Sequence, residues 1–215
     1  MDIIVDDSQG EKVRIELKGI QAALVLAVIT MVILASNSNA GSPTLGSAAD
    51  RDAPPSVGEK IRDFSLMSVD GKQLTLSDEL KRGPVVLVLL RGWPGYQCPF
   101  CTRQFGDFLA HAKELQSSGA RVIMVYPGPG ENLKQHVDEF IANRELLPNF
   151  HVLVDPDFTF TRSLGLRWDA PKETSYPSTF VIDQNLTVRY ALVSKTHGGR
   201  ATADDVLKVL STLGK

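Results

Sequence analysis

The order of segments after Val57 predicts an α/β domain with a central mixed β-sheet flanked by helices. Three observations carry this expectation. Val85–Leu90 (VVLVLL) and Arg121–Tyr126 (RVIMVY) are nearly unbroken apolar runs, the pattern of strands covered on both faces. Between them Phe105, Phe108, Leu109, Ala112 and Leu115 recur at helical spacing, with Gly119 as a stop. Later, Ser178–Asp183 (STFVID) and Thr187–Val193 (TVRYALV) flank Gln184-Asn185-Leu186, which reads as an antiparallel hairpin.

The remaining elements fit around these. Phe64–Val69 and Gln73–Leu76 flank Asp70-Gly71, a turn signal in which glycine supplies positive φ. Ser77-Asp78-Glu79 opens a helical turn that Gly83-Pro84 ends. Beyond Pro127-Gly128-Pro129-Gly130, the residues Leu133, Val137, Phe140 and Ile141 mark one face of a second helix. His151–Val154 reads as a strand, and Asp155-Pro156 offers an N-cap and a first-turn proline for a short helix ending near Gly165. Thr202 and Asp205 form an acidic capping box for a last helix that turns Val206, Leu210 and Leu213 inward.

The N-terminus differs in kind. Gly19–Ala35 (GIQAALVLAVITMVILA) carries no charge and predicts a short transmembrane helix. Lys12, Arg14 and Lys18 precede it, and the next basic residue is Arg51, so residues 1–18 form a cytoplasmic tail and the rest lies on the extracytoplasmic side. The rival is a secreted protein released by signal-peptide cleavage near Ala40. Acidic residues in the long leader (Asp2, Asp6, Asp7, Glu11 and Glu16) favour a retained single-pass anchor. Residues 36–56 are small, polar and proline-bearing and read as a flexible linker, which leaves residues 57–215 as the folded domain.

Composition narrows the function. The 23 Lys and Arg nearly balance the 25 Asp and Glu, so charge makes no case for a nucleic-acid partner. The 2 cysteines cannot complete a four-cysteine zinc site, and the histidines lack paired ligand spacing, so no metal or other cofactor is expected. Both cysteines fall in WPGYQCPFC (Trp93–Cys101), just past the Val85–Leu90 strand, where ligands of such sheets usually meet the strand ends. If Cys98 caps a helix and Pro99 takes its first position, unpaired N–H groups stabilise a Cys98 thiolate. Cys101, one turn on, is then placed to close a disulfide after attack. The bland alternative is a small structural disulfide, and a weaker one is a dithiol module that binds a soft metal such as Cu(I) or a partner protein.

The stretch VVLVLLRGWPGYQCPFC, the later YPSTFVID and the order of elements resemble the thioredoxin superfamily. The branch is the peroxiredoxin-like one, alkyl hydroperoxide reductase C/thiol-specific antioxidant, over roughly residues 57–213. The resemblance implies a thioredoxin-like (redoxin) fold and a thiol-dependent oxidoreductase. Its partners would be a thiol or disulfide protein substrate, or a hydroperoxide together with a thiol electron donor. In the thioredoxin pattern Cys98 is the nucleophile and Cys101 resolves; Pro177 takes the place of a cis-proline, and Tyr176 pairs with an extended substrate. In the peroxiredoxin pattern P-x-x-x-T-x-x-C, Pro94 takes the proline, Cys98 stands where threonine is expected, and Cys101 falls on the peroxide-reacting position. That family's arginine, three residues before the phenylalanine of the late strand, is replaced by Pro177. Missing threonine and arginine favour disulfide exchange at CPFC as the main reading, with thiol peroxidase activity as the alternative. Arg91 is a further candidate for thiolate stabilisation and Trp93 for lining a substrate groove, while His197 reads as a loop residue.

Overall fold

The computed structural model describes residues 2–6, 12–16, 53–142 and 144–213, and the chain divides into two units, residues 1–47 and 48–215. In the first, β1 (Asp2–Asp6) pairs antiparallel with β2 (Lys12–Glu16). Ile3, Ile4, Val5, Val13 and Ile15 are β-branched and favour extended backbone, so the segment read as a tail holds an antiparallel strand pair. The predicted span 19–35, the cleavage site at Ala40 and the linker as far as residue 52 lie outside the described residues. Among the described residues, no helix is long and apolar enough to cross a membrane.

The second unit is built on a seven-stranded sheet in the order β4-β3-β7-β6-β5-β8-β9. Its strands are β3 (Ser65–Ser68), β4 (Gln73–Thr75), β5 (Val85–Leu89), β6 (Arg121–Gly128), β7 (Phe150–Pro156), β8 (Ser178–Ile182) and β9 (Val188–Val193). The three central strands β5, β6 and β7 run parallel, while β3, β4, β8 and β9 join through antiparallel pairs, so the sheet is mixed as expected. The helices are α1 (Leu76–Leu80), α2 (Pro99–Ala110), α3 (Ala112–Ser117), α4 (Leu133–Ile141), α5 (Thr159–Ser163) and α6 (Ala203–Leu213).

Strand alternation divides the core into two layers. Val86 and Val88 of β5 pack with Phe105 and Phe108 of α2, Val137 and Phe140 of α4 and Val206 of α6. Val85, Leu87 and Leu89 pack instead with Leu76 and Leu80 of α1 and Phe160 of α5. Cys98 and Cys101 belong to the first layer.

Two strands run longer than the sequence predicts. β6 continues through Pro127-Gly128, because Pro127 lacks an N–H but its carbonyl still accepts the Trp93 N–H at 2.9 Å. β7 likewise continues through Pro156, so the predicted helix start at Asp155-Pro156 is corrected: α5 begins at Thr159, after Asp157 and Phe158 at positive φ. The Asp155 carboxylate still caps that helix, accepting the N–H groups of Phe160 and Thr161 at 2.8 and 2.9 Å. The capping box of the last helix forms as expected, with Asp205 accepting from the Thr202 hydroxyl at 2.8 Å.

At the starts of the parallel strands, buried Glu79 accepts from Arg121 Nε at 2.5 Å, and Arg121 Nη2 lies 2.7 Å from His151 Nε2. At their carboxyl ends, Gly92 turns the chain from β5 toward the cysteines. Its φ is +70°, and a Cβ there would sit 1.8 Å from the Pro127 carbonyl oxygen. Gly92→Ala is therefore expected to destabilise the domain by more than about 2 kcal/mol, left-handed strain adding to the clash. Chemical denaturation measures the loss, and slowed alkylation of Cys98 would accompany it as the loop shifts.

Candidate active site

Cys98 is the N-cap of α2, with extended backbone (φ −71°, ψ 115°), and Pro99 follows at the first position. The Cys98 carbonyl accepts the Thr102 N–H at 3.1 Å, so the chain enters a regular helix immediately after the sulfur-bearing residue. Cys101 lies in the first turn, and the two thiols are not bonded to each other. Both are buried, at 1% and 0% exposure, so water does little to screen charge between them.

The two sulfurs respond oppositely. The Cys98 thiol is held down to about 5, first by hydrogen bonding from the Cys101 thiol, then by the Cys101 backbone N–H and the positive charges of Arg200 and Arg91, against the opposing effect of burial. Cys101 is pushed well above the ordinary thiol range, chiefly by burial and then by its role as donor to Cys98. The pair thus carries one negative charge at neutral pH, on Cys98, with Cys101 supplying the proton of the bond between them. Tyr126, raised by burial in the same layer, stays protonated and donates to Gln97 Oε1 at 2.9 Å.

Of the residues picked out from sequence, Arg91 joins the site through its charge. Its side chain is buried rather than solvent-facing, and donates to Glu173 at 2.9 Å, to the Tyr96 hydroxyl at 2.7 Å and to the Lys172 carbonyl at 2.8 Å. Trp93 packs against the layer that holds the sulfurs and stacks on His136, with ring centroids 3.6 Å apart. His197 is a loop residue whose Nε2 lies 2.9 Å from Glu173 Oε1.

Tyr176 and Pro177 do not take their expected place. Among the described residues there is no cis peptide bond, so the cis-proline expectation is corrected: Pro177 is trans. Trans is the ordinary isomer of an X–Pro bond, and the Pro177 carbonyl accepts the Ser194 N–H at 2.9 Å, prolonging the β8–β9 ladder. The Tyr176 N–H is spent on the Leu166 carbonyl at 2.9 Å, and its carbonyl accepts from the Ser178 hydroxyl at 2.8 Å. Its ring stacks on Trp168 and packs against the layer that excludes the cysteines. The backbone N–H at this point is therefore closed to an extended substrate.

Arg200 escaped the sequence reading. Its Nη1 donates to Cys101 Sγ at 3.4 Å and to Gln104 Oε1 at 3.1 Å, and its Nη2 lies 3.9 Å from Cys98 Sγ. A groove of about 380 Å³ beside it runs between α2 and the loop before α6, with Phe100, Arg103, Gln104 and Gly198 in its walls. No local spacing signals this residue, because it lies 99 positions from Cys101 and only the tertiary fold brings it over the dithiol.

Thiolate absorbance of the reduced protein should titrate with a midpoint near 5, and Cys98→Ser should remove that transition. A thiol depressed from 9.0 to about 5 on folding contributes stability above its unfolded value, and that contribution is lost as pH falls through about 5. The melting temperature of the reduced form should accordingly fall, relative to the Cys98–Cys101 disulfide form, as pH drops across that window.

Comparison with known proteins agrees with this geometry. The AhpC/TSA family profile matches residues 57–191. A Mycobacterium tuberculosis protein named "Putative peroxiredoxin Rv2521" is 28% identical over 137 residues, covering 60% of this chain and 78% of the relative. Peroxidoxin BcpB from Mycobacterium tuberculosis shares the fold with a TM-score of 0.57 at 24% identity, covering 73% of this chain and 97% of the other. Mycobacterium tuberculosis AhpC does so with a TM-score of 0.58 at 17% identity, covering 75% and 99%. With a thioredoxin-like mixed sheet, an anionic cysteine at a helix start and a profile match across most of the domain, the chain belongs to the AhpC/TSA family of peroxiredoxin-like thiol oxidoreductases.

Proposed function

We propose that the domain is a thiol peroxidase in which Cys98 attacks the hydroperoxide and Cys101 resolves. The observation that carries this reading is the buried Cys98–Cys101 pair at the start of α2 with the Arg200 guanidinium beside both sulfurs, an arrangement that holds the Cys98 thiol down to about 5, in a chain of the AhpC/TSA family. The Cys98 thiolate attacks the distal oxygen of ROOH, the O–O bond breaks, and the departing alkoxide takes a proton to give ROH. Cys98 is left as a sulfenic acid. Cys101 then attacks the Cys98 sulfur, hydroxide leaves, and the Cys101 proton converts it to water as the disulfide forms. An external thiol donor returns the pair to the dithiol by exchange.

Assigning the attack to Cys101, as the peroxiredoxin pattern by itself suggests, would require ionising a thiol raised by burial beside an existing anion. Disulfide exchange with a protein substrate, favoured from sequence by the missing threonine and arginine, loses the substrate-pairing backbone expected at Tyr176, whose N–H is bonded to the Leu166 carbonyl. Residues 19–35 we read as a membrane anchor that holds the domain on the extracytoplasmic side, on the strength of their apolar run and preceding basic residues. Carbonate extraction of membranes from expressing cells tests this, and recovery of the full-length chain in the soluble fraction would refute it.

Stopped-flow peroxide consumption with a thiol reductant tests the activity. Cys98→Ser should lower the rate by several orders of magnitude, whereas Cys101→Ser should keep one fast turnover and accumulate a dimedone-reactive sulfenic acid. The reverse pattern would move the attack to Cys101. A wild-type protein inert to peroxide but active on insulin disulfides would restore the exchange reading.

A further inference from the structure

In the peroxiredoxin pattern a threonine and an arginine flank the reacting cysteine, and here those positions hold Cys98 and Pro177. A cation nevertheless stands over the dithiol, and it comes from a different part of the chain. Arg200 lies in the loop between β9 and α6, and one guanidinium reaches both sulfurs, 3.4 Å from Cys101 and 3.9 Å from Cys98.

Its orientation is fixed from several sides. Nε donates to the His197 carbonyl at 2.8 Å, and Nη1 donates to Gln104 Oε1 at 3.1 Å. Gln104 is buried and returns a bond from Nε2 to the Ala201 carbonyl at 3.2 Å, which ties the loop backbone to α2. The His197 ring is tied to Glu173, which in turn pairs with buried Arg91. Among the described residues no carboxylate pairs with Arg200, so its charge is directed at the sulfurs. A planar fork of fixed donors suits one cation to two neighbouring acceptors better than a lysine would.

We propose that Arg200 is a catalytic residue that follows the negative charge from Cys98 to Cys101 as the reaction cycle advances. The proposal rests on the peroxidase reading for its steps. In the resting dithiol the guanidinium faces the Cys98 thiolate through Nη2. When the O–O bond breaks, that charge leaves with the alkoxide and Cys98 becomes a neutral sulfenic acid. Cys101 must now give up its proton, and the nearer contact, Nη1, stabilises the Cys101 thiolate as it forms. That thiolate displaces hydroxide from Cys98, and the released proton makes it water. The guanidinium touches both sulfurs from one position, so the handover needs no movement of the loop.

Two substitutions separate charge from geometry. R200Q, which removes the cation, should raise the Cys98 thiolate midpoint by about one unit, roughly tenfold in thiolate fraction below the midpoint. It should also slow disulfide closure more than peroxide attack, so that dimedone traps more sulfenic acid in a single turnover. R200K should restore the midpoint while leaving closure slow, because a point charge cannot serve both sulfurs at once. R200Q with wild-type circular dichroism, thiolate midpoint and trapped fraction would overturn the proposal. Should R200Q fold poorly, Q104L keeps the charge but frees the guanidinium: slower closure supports the role, and unchanged closure removes it. Thiolate titration needs no peroxide, so a wild-type protein inert to peroxide would sink the peroxidase reading while leaving the midpoint shift to report on Arg200.

Discussion

The domain's chemistry depends on one negative charge confined to two buried sulfurs. Burial alone would protonate both thiols, as it does Cys101. At Cys98 that penalty is outweighed by the neighbouring thiol, a helix-start N–H and two arginines that converge from distant parts of the chain. A second anion on Cys101 would meet the first at close range with both sulfurs buried, so the protonation states stay split. In the peroxidase reading proposed above, that split would divide the labour between attack and resolution.

The backbone enforces this arrangement before any side chain acts. Carboxyl ends of β5 and β6 run together as far as the Trp93–Pro127 hydrogen bond, and Gly92 lets the chain turn over Pro127. Extended backbone at Cys98 and the fixed φ of Pro99 then start α2 with the sulfur at its head. On the neighbouring side of the sheet β8 begins one residue after Pro177, whose carbonyl serves the ladder to β9. The position that carries an arginine in the peroxiredoxin pattern here holds a proline at the edge of β8, and the cation arrives from beyond β9 instead.

Much of the fold was legible in the sequence because its signals are local. Apolar runs marked β5 and β6, helical spacing marked α2 and α4, and the Thr202–Asp205 pair marked the start of α6. Errors came where tertiary pairing overrode local signals. Pro127 reads as a break and Pro156 as a helix start, but both lie in strands, Pro127 opposite Asp155 and Pro156 opposite Gly128. In the candidate site, the spacing of Cys98 and Cys101 past β5 places both sulfurs at the start of α2, and Arg91, at the end of that strand, adds its charge there. Tyr176 was placed by analogy, and its ring packs on the other face of the sheet. Arg200 and Gln104 carry no motif, and a contact spanning nearly half the chain leaves no trace in spacing.

The ionic cluster of Glu79, Arg121 and His151 gives the molecule a division of its own. Arg121 opens β6 and Gly128 closes it, and the seven steps between them, at about 3.3 Å each, set the cluster roughly 23 Å from the end of the sheet that leads to the cysteines. The charges that act on the Cys98 thiol are those of Arg200 and Arg91, not those of this cluster. Robustness and reactivity are thus written into opposite margins of one sheet, and sequence drift in either can proceed without retuning the other.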